Sequence, residues 1–212
     1  MKKLLFALQL FFLGSIITWS QVSVGPKLSL SFSNVIGGEN SVGNKFKVGF
    51  SAGAFLKFQI SDHVYLQPEV VYSTRGFKYV SSVGNQDTNL KHTLSYIDFP
   101  FLIGIQIGEN GFINFGPQIG YLVNDKIKGV VTNSSSSLNL NSSNVYGYNV
   151  TEYALAFGGG YRFPFNLMVA VHGVYGLTKL YSNGGDLSHN FTFGLSVAYS
   201  LGEKRRKQRT RH

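Results

Sequence analysis

The 212-residue chain contains no cysteine. That absence excludes disulfides, thiolate metal sites and a lipidated cysteine. The chain also lacks any long apolar run after its first twenty residues, so no transmembrane helix follows to hold it in an inner membrane. It shows no spacing of metal ligands, no phosphate loop and no dinucleotide motif. The five histidines are scattered, and Gly158-Gly159-Gly160 opens no helix. No cofactor is therefore expected. Carboxylates are scarce too: 10 Asp and Glu against 19 Lys and Arg give a formal charge of +9. Lys2 and Lys3 account for +2 of it and the last eleven residues for +5, which leaves +2 for residues 21–201. From so small a remainder no basic face and no nucleic-acid partner are expected.

What the chain has in abundance is glycine, 25 residues, and aromatic side chains, 15% of the total, a composition suited to strands. From Val22 to Leu201 apolar residues recur at every second position. Phe191, Phe193, Leu195, Val197, Tyr199 and Leu201 alternate with Thr192, Gly194, Ser196, Ala198 and Ser200. Successive strand side chains point to opposite faces, so one face is apolar and the other small and polar. The breaks between runs alternate long and short. A soluble sandwich has no reason for that rhythm, whereas a barrel with tight turns at one end and long loops at the other does. The pattern predicts an all-β fold, an eight-stranded antiparallel up-and-down transmembrane β-barrel over residues 21–201.

Two flanking segments stand apart. Lys2-Lys3, the apolar run Leu4 to Ile17 and the small residues of Thr18-Trp19-Ser20 read as a signal peptide, residues 1–20, cleaved before Gln21. Residues 202–212 form a basic tail without apolar residues, expected to be a disordered periplasmic extension.

The predicted strands are Val22–Ser33, Lys45–Ile60, Val64–Phe77, Thr93–Ile107, Phe112–Lys126, Val150–Phe163, Leu167–Tyr181 and Asn190–Leu201. Ser61-Asp62-His63, Gly108-Glu109-Asn110-Gly111 and Pro164-Phe165-Asn166 are tight turns. Asn34–Asn44, Lys78–His92, Ile127–Asn149 and Ser182–His189 are long loops, the third an Asn/Ser-rich, mobile one. An even strand count puts both termini and the tight turns in the periplasm and the long loops outside the cell. Pro26, Pro68, Pro100 and Pro117 fall inside strands, where each removes a ladder donor, so bulges or bends are expected there. The expected surroundings are outer-membrane lipid and lipopolysaccharide, with the barrel-assembly machinery as a partner in biogenesis.

Gln67-Pro68-Glu69, Tyr96-Ile97-Asp98-Phe99-Pro100, Gly116-Pro117-Gln118-Ile119-Gly120-Tyr121, Gly25-x-Lys27-x-Ser29 and Gly158-Gly159-Gly160-Tyr161 resemble the PorT-like group of small outer-membrane β-barrels. The resemblance runs along the whole mature barrel on scattered short motifs. It implies residence in the outer membrane of a Gram-negative cell and, by the association of PorT itself with secretion of surface proteases, secretion-system components as partners. The tail after the last strand departs from the group's usual ending at an aromatic residue.

By parity Phe46, Val48, Phe50, Leu56, Phe58, Ile97, Phe99, Phe101, Ile103, Ile105, Ile113, Phe115, Leu167, Val169 and Val171 face lipid, and Tyr72, Tyr121, Tyr153, Tyr161, Tyr175 and Tyr199 form interfacial girdles. The opposite parity places Lys27, Lys57, Gln67, Glu69, Arg75, Asp98, Gln106, Gln118, Glu152, Arg162 and His172 in the lumen. Of these, Lys27, Lys57, Glu69, Arg75, Asp98, Glu152, Arg162 and His172 are expected to build a structural polar network, with Glu69 brought near Asp98 and diagonal to Lys57. Eight strands enclose a space that side chains just fill. No catalytic residue is assigned. A hydrolase or acyltransferase would need a base, an acid and a nucleophile in reach of one another, for which His172, Glu152 and Ser196 or Ser200 are the available groups. A small-solute porin would need a wider lumen lined by one sign of charge. The expected role is that of a structural or interaction protein, an accessory of protein secretion to the cell surface.

Overall fold

The period-two pattern makes the molecule inside-out relative to a soluble protein. Leu30 on the outer wall is 66% exposed, while Lys57 inside is 2% exposed. A computed structural model describes residues 22–37, 44–83, 86–133, 136–143, 147–182 and 187–202. The segment read as a signal peptide, residues 1–20, and the basic tail from residue 203 onward lie outside the described residues. The strands are β1 (Val22–Ile36), β2 (Asn44–Gln59), β3 (Val64–Val83), β4 (Gln86–Ile107), β5 (Gly111–Asn133), β6 (Ser136–Ser143), β7 (Thr151–Arg162), β8 (Leu167–Gly176) and β9 (His189–Tyr199).

All pairings are antiparallel, and eight strands close a ring in the order β1-β2-β3-β4-β5-β7-β8-β9. Closure comes from Lys27–Ile36 of β1 against Ala198–His189 of β9, with Val24 bridging Leu201 below it. A closed ring leaves no strand edge in hydrocarbon, which is what lets strands cross a membrane. β6 stands outside the ring and pairs with the upper part of β5 alone.

The outer wall carries the residues expected there. Phe58, Phe99, Leu167 and Val169 are half-buried against neighbours, and the rest of the lipid-facing set is exposed. Tyr72, Tyr121, Tyr153 and Tyr175 lie toward the long-loop end and Tyr161 and Tyr199 toward the tight turns, all exposed. Two of those turns use left-handed backbone, at Gly108 (φ 61°) and Asn166 (φ 64°). Asparagine tolerates that region and glycine meets no steric cost in it.

Four expectations are corrected. Lys78–His92 is largely not a loop: β3 and β4 continue as a hairpin to Val83 and from Gln86. Likewise Ile127–Asn149 contains the top of β5 and all of β6. Its Asn/Ser composition hid a hairpin because ladder bonds are made by backbone, and Leu138 and Leu140 supply the alternation opposite Val131 and Gly129. The seventh predicted strand ends at Gly176 rather than Tyr181. There the Leu177 and Thr178 amides both donate to the Tyr153 carbonyl, at 2.7 and 3.3 Å, and the chain bends inward. Nor do the prolines sit in bulges. The register shifts lie at Phe46/Ser51 and Ser95/Tyr96. Around Pro68, Pro100 and Pro117 the ladder instead skips a few pairs and resumes in the same register.

Candidate functional site

The lumen is stacked in three layers. At the tight-turn end Phe55, Phe112, Met168 and Ala198 form a buried apolar cluster. Beside it the Lys57 ammonium lies 4.6 Å from the centre of the Tyr65 ring. That ring also covers Gly104, directly opposite on β4, where a Cβ would stand 1.9 Å from the ring carbon Cζ. At the long-loop end Val35, Phe77, Leu94, Tyr96 and Leu180 form a second cluster, with Tyr79, Leu122, Tyr148 and Tyr181 around it. The inward bend after Gly176 is what brings Leu180 there. His92 joins this upper layer: its ring stacks on Phe77 at 4.4 Å, and Nδ1 lies 2.9 Å from the Tyr148 hydroxyl. Burial holds the His92 imidazole below its usual pKa and the Tyr148 phenol above its own, so both are neutral in this layer.

Between the clusters lies the charged belt. Arg75 on β3 ion-pairs with Asp98 on β4 and with Glu152 on β7, and all three are buried. Its Nε donates to Ser73 Oγ at 3.3 Å, and its guanidinium carbon lies 4.7 Å from the centre of the Tyr96 ring. Ser73 donates to Asp98 Oδ2 at 2.6 Å and Asn190 to Glu152 Oε1 at 2.6 Å. Gly120 makes the geometry possible. It pairs with Asp98 on one side and Glu152 on the other, and a Cβ there would stand 2.6 Å from Asp98 Oδ1 and 3.7 Å from Glu152 Oε2. Without a side chain at that position the two carboxylates flank an open space that the guanidinium fills.

A second pair lies lower. Lys27 donates to both oxygens of Glu69 at 2.9 and 2.8 Å, and Gln67 donates to Glu69 Oε1 at 2.7 Å. A cavity of about 70 Å³ opens beside it, lined among others by Lys27, Ser31, Asn114, Gln118, His172 and Thr192. At 10–15 Å³ per water-sized volume it has room for roughly five waters. Polar atoms without a protein partner, Gln118 Nε2, His172 Nδ1 and Thr192 Oγ1, belong to residues of its wall.

Of the eight residues expected to build one network, Arg75, Asp98 and Glu152 form one group and Lys27 and Glu69 another. Glu69 and Asp98 do not share a cation: Lys27 takes the first and Arg75 the second, together with Glu152. Arg162 sits at the tight-turn end of β7, its amide bonded to the Asn110 carbonyl at 2.9 Å. His172 and Glu152, the base and acid of an acyl-transfer site, are not brought together. His172 pairs with Gly158, six residues along β7 from Glu152, roughly 20 Å at strand rise. Ser196 Oγ instead donates to the Ala170 carbonyl at 3.4 Å. Tyr96 and Asn190, both in the belt, were missed because a tyrosine and an asparagine on inward parity carry no charge to flag them.

Three comparisons bear on the chain. A family model described as an outer membrane protein beta-barrel domain matches residues 17–182. Among solved structures, the chain is similar to Ail, the attachment invasion locus protein of Yersinia pestis. The identity is 13%, the alignment covers 85% of this chain and 99% of that one, and the TM-score is 0.48. It is similar to Neisserial surface protein A at 13% identity, covering 86% and 98%, with a TM-score of 0.45. For OprG from Pseudomonas aeruginosa the values are 8%, 86% and 96%, and 0.43. No curated protein sequence matches.

Proposed function

We propose a function from one fixed premise: the chain belongs to the outer membrane protein beta-barrel domain family and resides in the outer membrane. On that premise the protein is a sealed structural and interaction barrel that presents the sheet β3-β4-β5-β6 outside the cell. A single observation carries this reading. Two buried apolar clusters lie above and below the Arg75 belt in a ring of eight strands, whose interior side chains just fill, and this supports a lumen without a continuous solute path and partners that meet the external surfaces. The porin reading loses support for the same reason. The hydrolase or acyltransferase reading loses it because His172 and Glu152 are held apart. The motifs that resemble PorT-like barrels favour a narrower role, an accessory of protein secretion to the cell surface.

Planar-bilayer recordings of the refolded protein are expected to show no stable porin-like steps. Large reproducible openings would return the pore to first place. Single cysteines at Ser137 and Asn141 should react with an impermeant maleimide on intact cells, while those at Asp62 and Glu109 should react only after the outer membrane is opened. The reverse pattern would invert the orientation. Deleting the gene should leave exported surface proteins in the periplasm, and unchanged export would remove the secretion role.

A further inference from the structure

The small net charge of the barrel conceals a segregation. Among the described residues, Glu69, Asp98, Asp125 and Glu152 are buried, and Asp62 and Glu109 lie in tight turns. On the long-loop half of the outer surface the described carboxylate is Asp87 alone. Against it stand exposed Lys45, Lys78, Lys91, Lys128 and Lys179 and half-buried Lys126, while its own cross-strand partners are Ser82 and Thr132. The expectation of no basic face is thereby corrected: summing charges along the chain cancels outward lysines against acids that point into the lumen.

The lysines are also aligned. Lys45 on β2 is the direct cross-strand partner of Lys78 on β3, Lys78 of Lys91 on β4, and Lys91 of Lys128 on β5. Strands about 4.8 Å apart make this a row of four ammonium-bearing positions roughly 14 Å long. Like charges placed directly opposite destabilise a sheet, and here three such pairs are consecutive. The neighbouring rungs of the same face offer no acid: Gly76, Thr93 and Lys126 below, Val80, Asn89 and Val130 above. An external polyanion is the counter-charge that fits.

Position selects which one. Lys78, Lys91 and Lys128 share their face with Tyr72, Ile97 and Tyr121, the side that meets lipid lower down, and Lys45 joins them as the partner of Lys78 beyond the register shift between Phe46 and Ser51. Lys91 is six residues above Ile97, which at about 3.3 Å per residue and a tilt near 40° is roughly 15 Å higher. Phospholipid head groups reach only about 5–8 Å beyond the hydrocarbon. We propose that Lys45, Lys78, Lys91 and Lys128 bind successive phosphates on the saccharide head group of an outer-leaflet glycolipid, with Lys126 as a lower contact. The inference rests on the orientation proposed above.

The test uses the full chain refolded in phosphatidylcholine nanodiscs, which expose both faces and so do not depend on orientation in the cell; a wrong orientation shows in the maleimide pattern instead. The probes are lipopolysaccharide with a phosphorylated core, the same lipid after enzymatic dephosphorylation, and inorganic polyphosphate. Loss of four exposed charge contacts in K45Q/K78Q/K91Q/K128Q should weaken binding of the phosphorylated lipid at least about tenfold. Lys179→Gln should leave it unchanged, and the dephosphorylated lipid should bind wild type and variant alike. Without lipopolysaccharide the quadruple variant should unfold at a higher denaturant concentration than wild type, because repulsion is relieved, and with it the order should reverse. If the quadruple variant does not fold, Lys91→Gln, which borders two lysines, should show the same reversal. Equal binding by variant and wild type, or equal wild-type binding of the two lipids, would overturn the proposal. Inorganic polyphosphate holding the row as tightly as the lipid would overturn the lipid as its source.

Discussion

Replacing Arg75 by Gln tests the charged belt most directly. The side chain is 3% exposed and serves two carboxylates that are themselves 4% and 5% exposed. Removing one partner of a buried ion pair typically costs about 3–5 kcal/mol, because the remaining charge is left uncompensated. Here two charges are left, but each keeps one hydrogen bond, Ser73 to Asp98 and Asn190 to Glu152. The two corrections oppose each other, so Arg75→Gln should lose about 3–5 kcal/mol in reversible denaturant unfolding from phosphatidylcholine vesicles. The triple variant R75Q/D98N/E152Q, which removes the stranded charges, should recover most of that loss. Lys27→Gln should cost clearly less, since Lys27 is 18% exposed and borders a cavity with room for water. A triple variant no more stable than the single one would refute the reasoning: the loss would then come from packing against Tyr96 and not from charge.

Gly120→Ala should destabilise by about 1–3 kcal/mol, since the added Cβ would crowd Asp98 Oδ1 at 2.6 Å, and the same unfolding assay reads it. Val197→Lys places a charge on the lipid wall and should cost about 2–4 kcal/mol, more than Ser196→Lys on the lumenal parity; equal costs would mean the faces are misassigned. His92 titrates below the ordinary 6.5 because it is buried. Between its folded value and 6.5 the unfolded chain binds more protons, so acidification through that window should weaken the protruding sheet. NMR titration of a labelled His92 should give a value under 6.5, and one above it would contradict the burial described.

The strand faces were legible because parity survives almost everywhere. Phe191 to Leu201 alternate in the sequence as they do in the wall. The ring closure followed from the rule that strands in hydrocarbon leave no open edge, which requires the first strand to pair with the last. The protruding hairpins were not legible, since Asn139, Asn141 and Ser143 contribute backbone pairing that composition does not report. The end of β8 was hidden for a different reason: Thr178, Leu180 and Tyr181 keep a strand-like composition while Tyr153 captures two successive amides and turns the chain. In the belt, parity placed the charges inside, but the partners are set by register across strands distant in sequence, as with Lys27 and Glu69, 42 residues apart. The lysine row depends on the same register and was invisible to a charge sum.

The span of the Arg75 hub also bears on the order in which the wall is built. Arg75 and Asp98 lie on β3 and β4, which form one hairpin, so that pair is available as soon as the hairpin zips. Glu152 arrives only when β7 docks on β5, and Asn190 only with β9. The guanidinium is thus balanced by one carboxylate early and meets a second late, so the group's excess negative charge enters the interior only with the last strands. Asp98→Asn should accordingly slow folding, while Glu152→Gln should chiefly speed unfolding, and stopped-flow kinetics in thin bilayers separates the two. The reverse assignment would place β7 in the early nucleus. On this account the hairpin carries a balanced pair from the start, and the closing strands bring both the extra carboxylate and, in Asn190, a donor that helps to hold it.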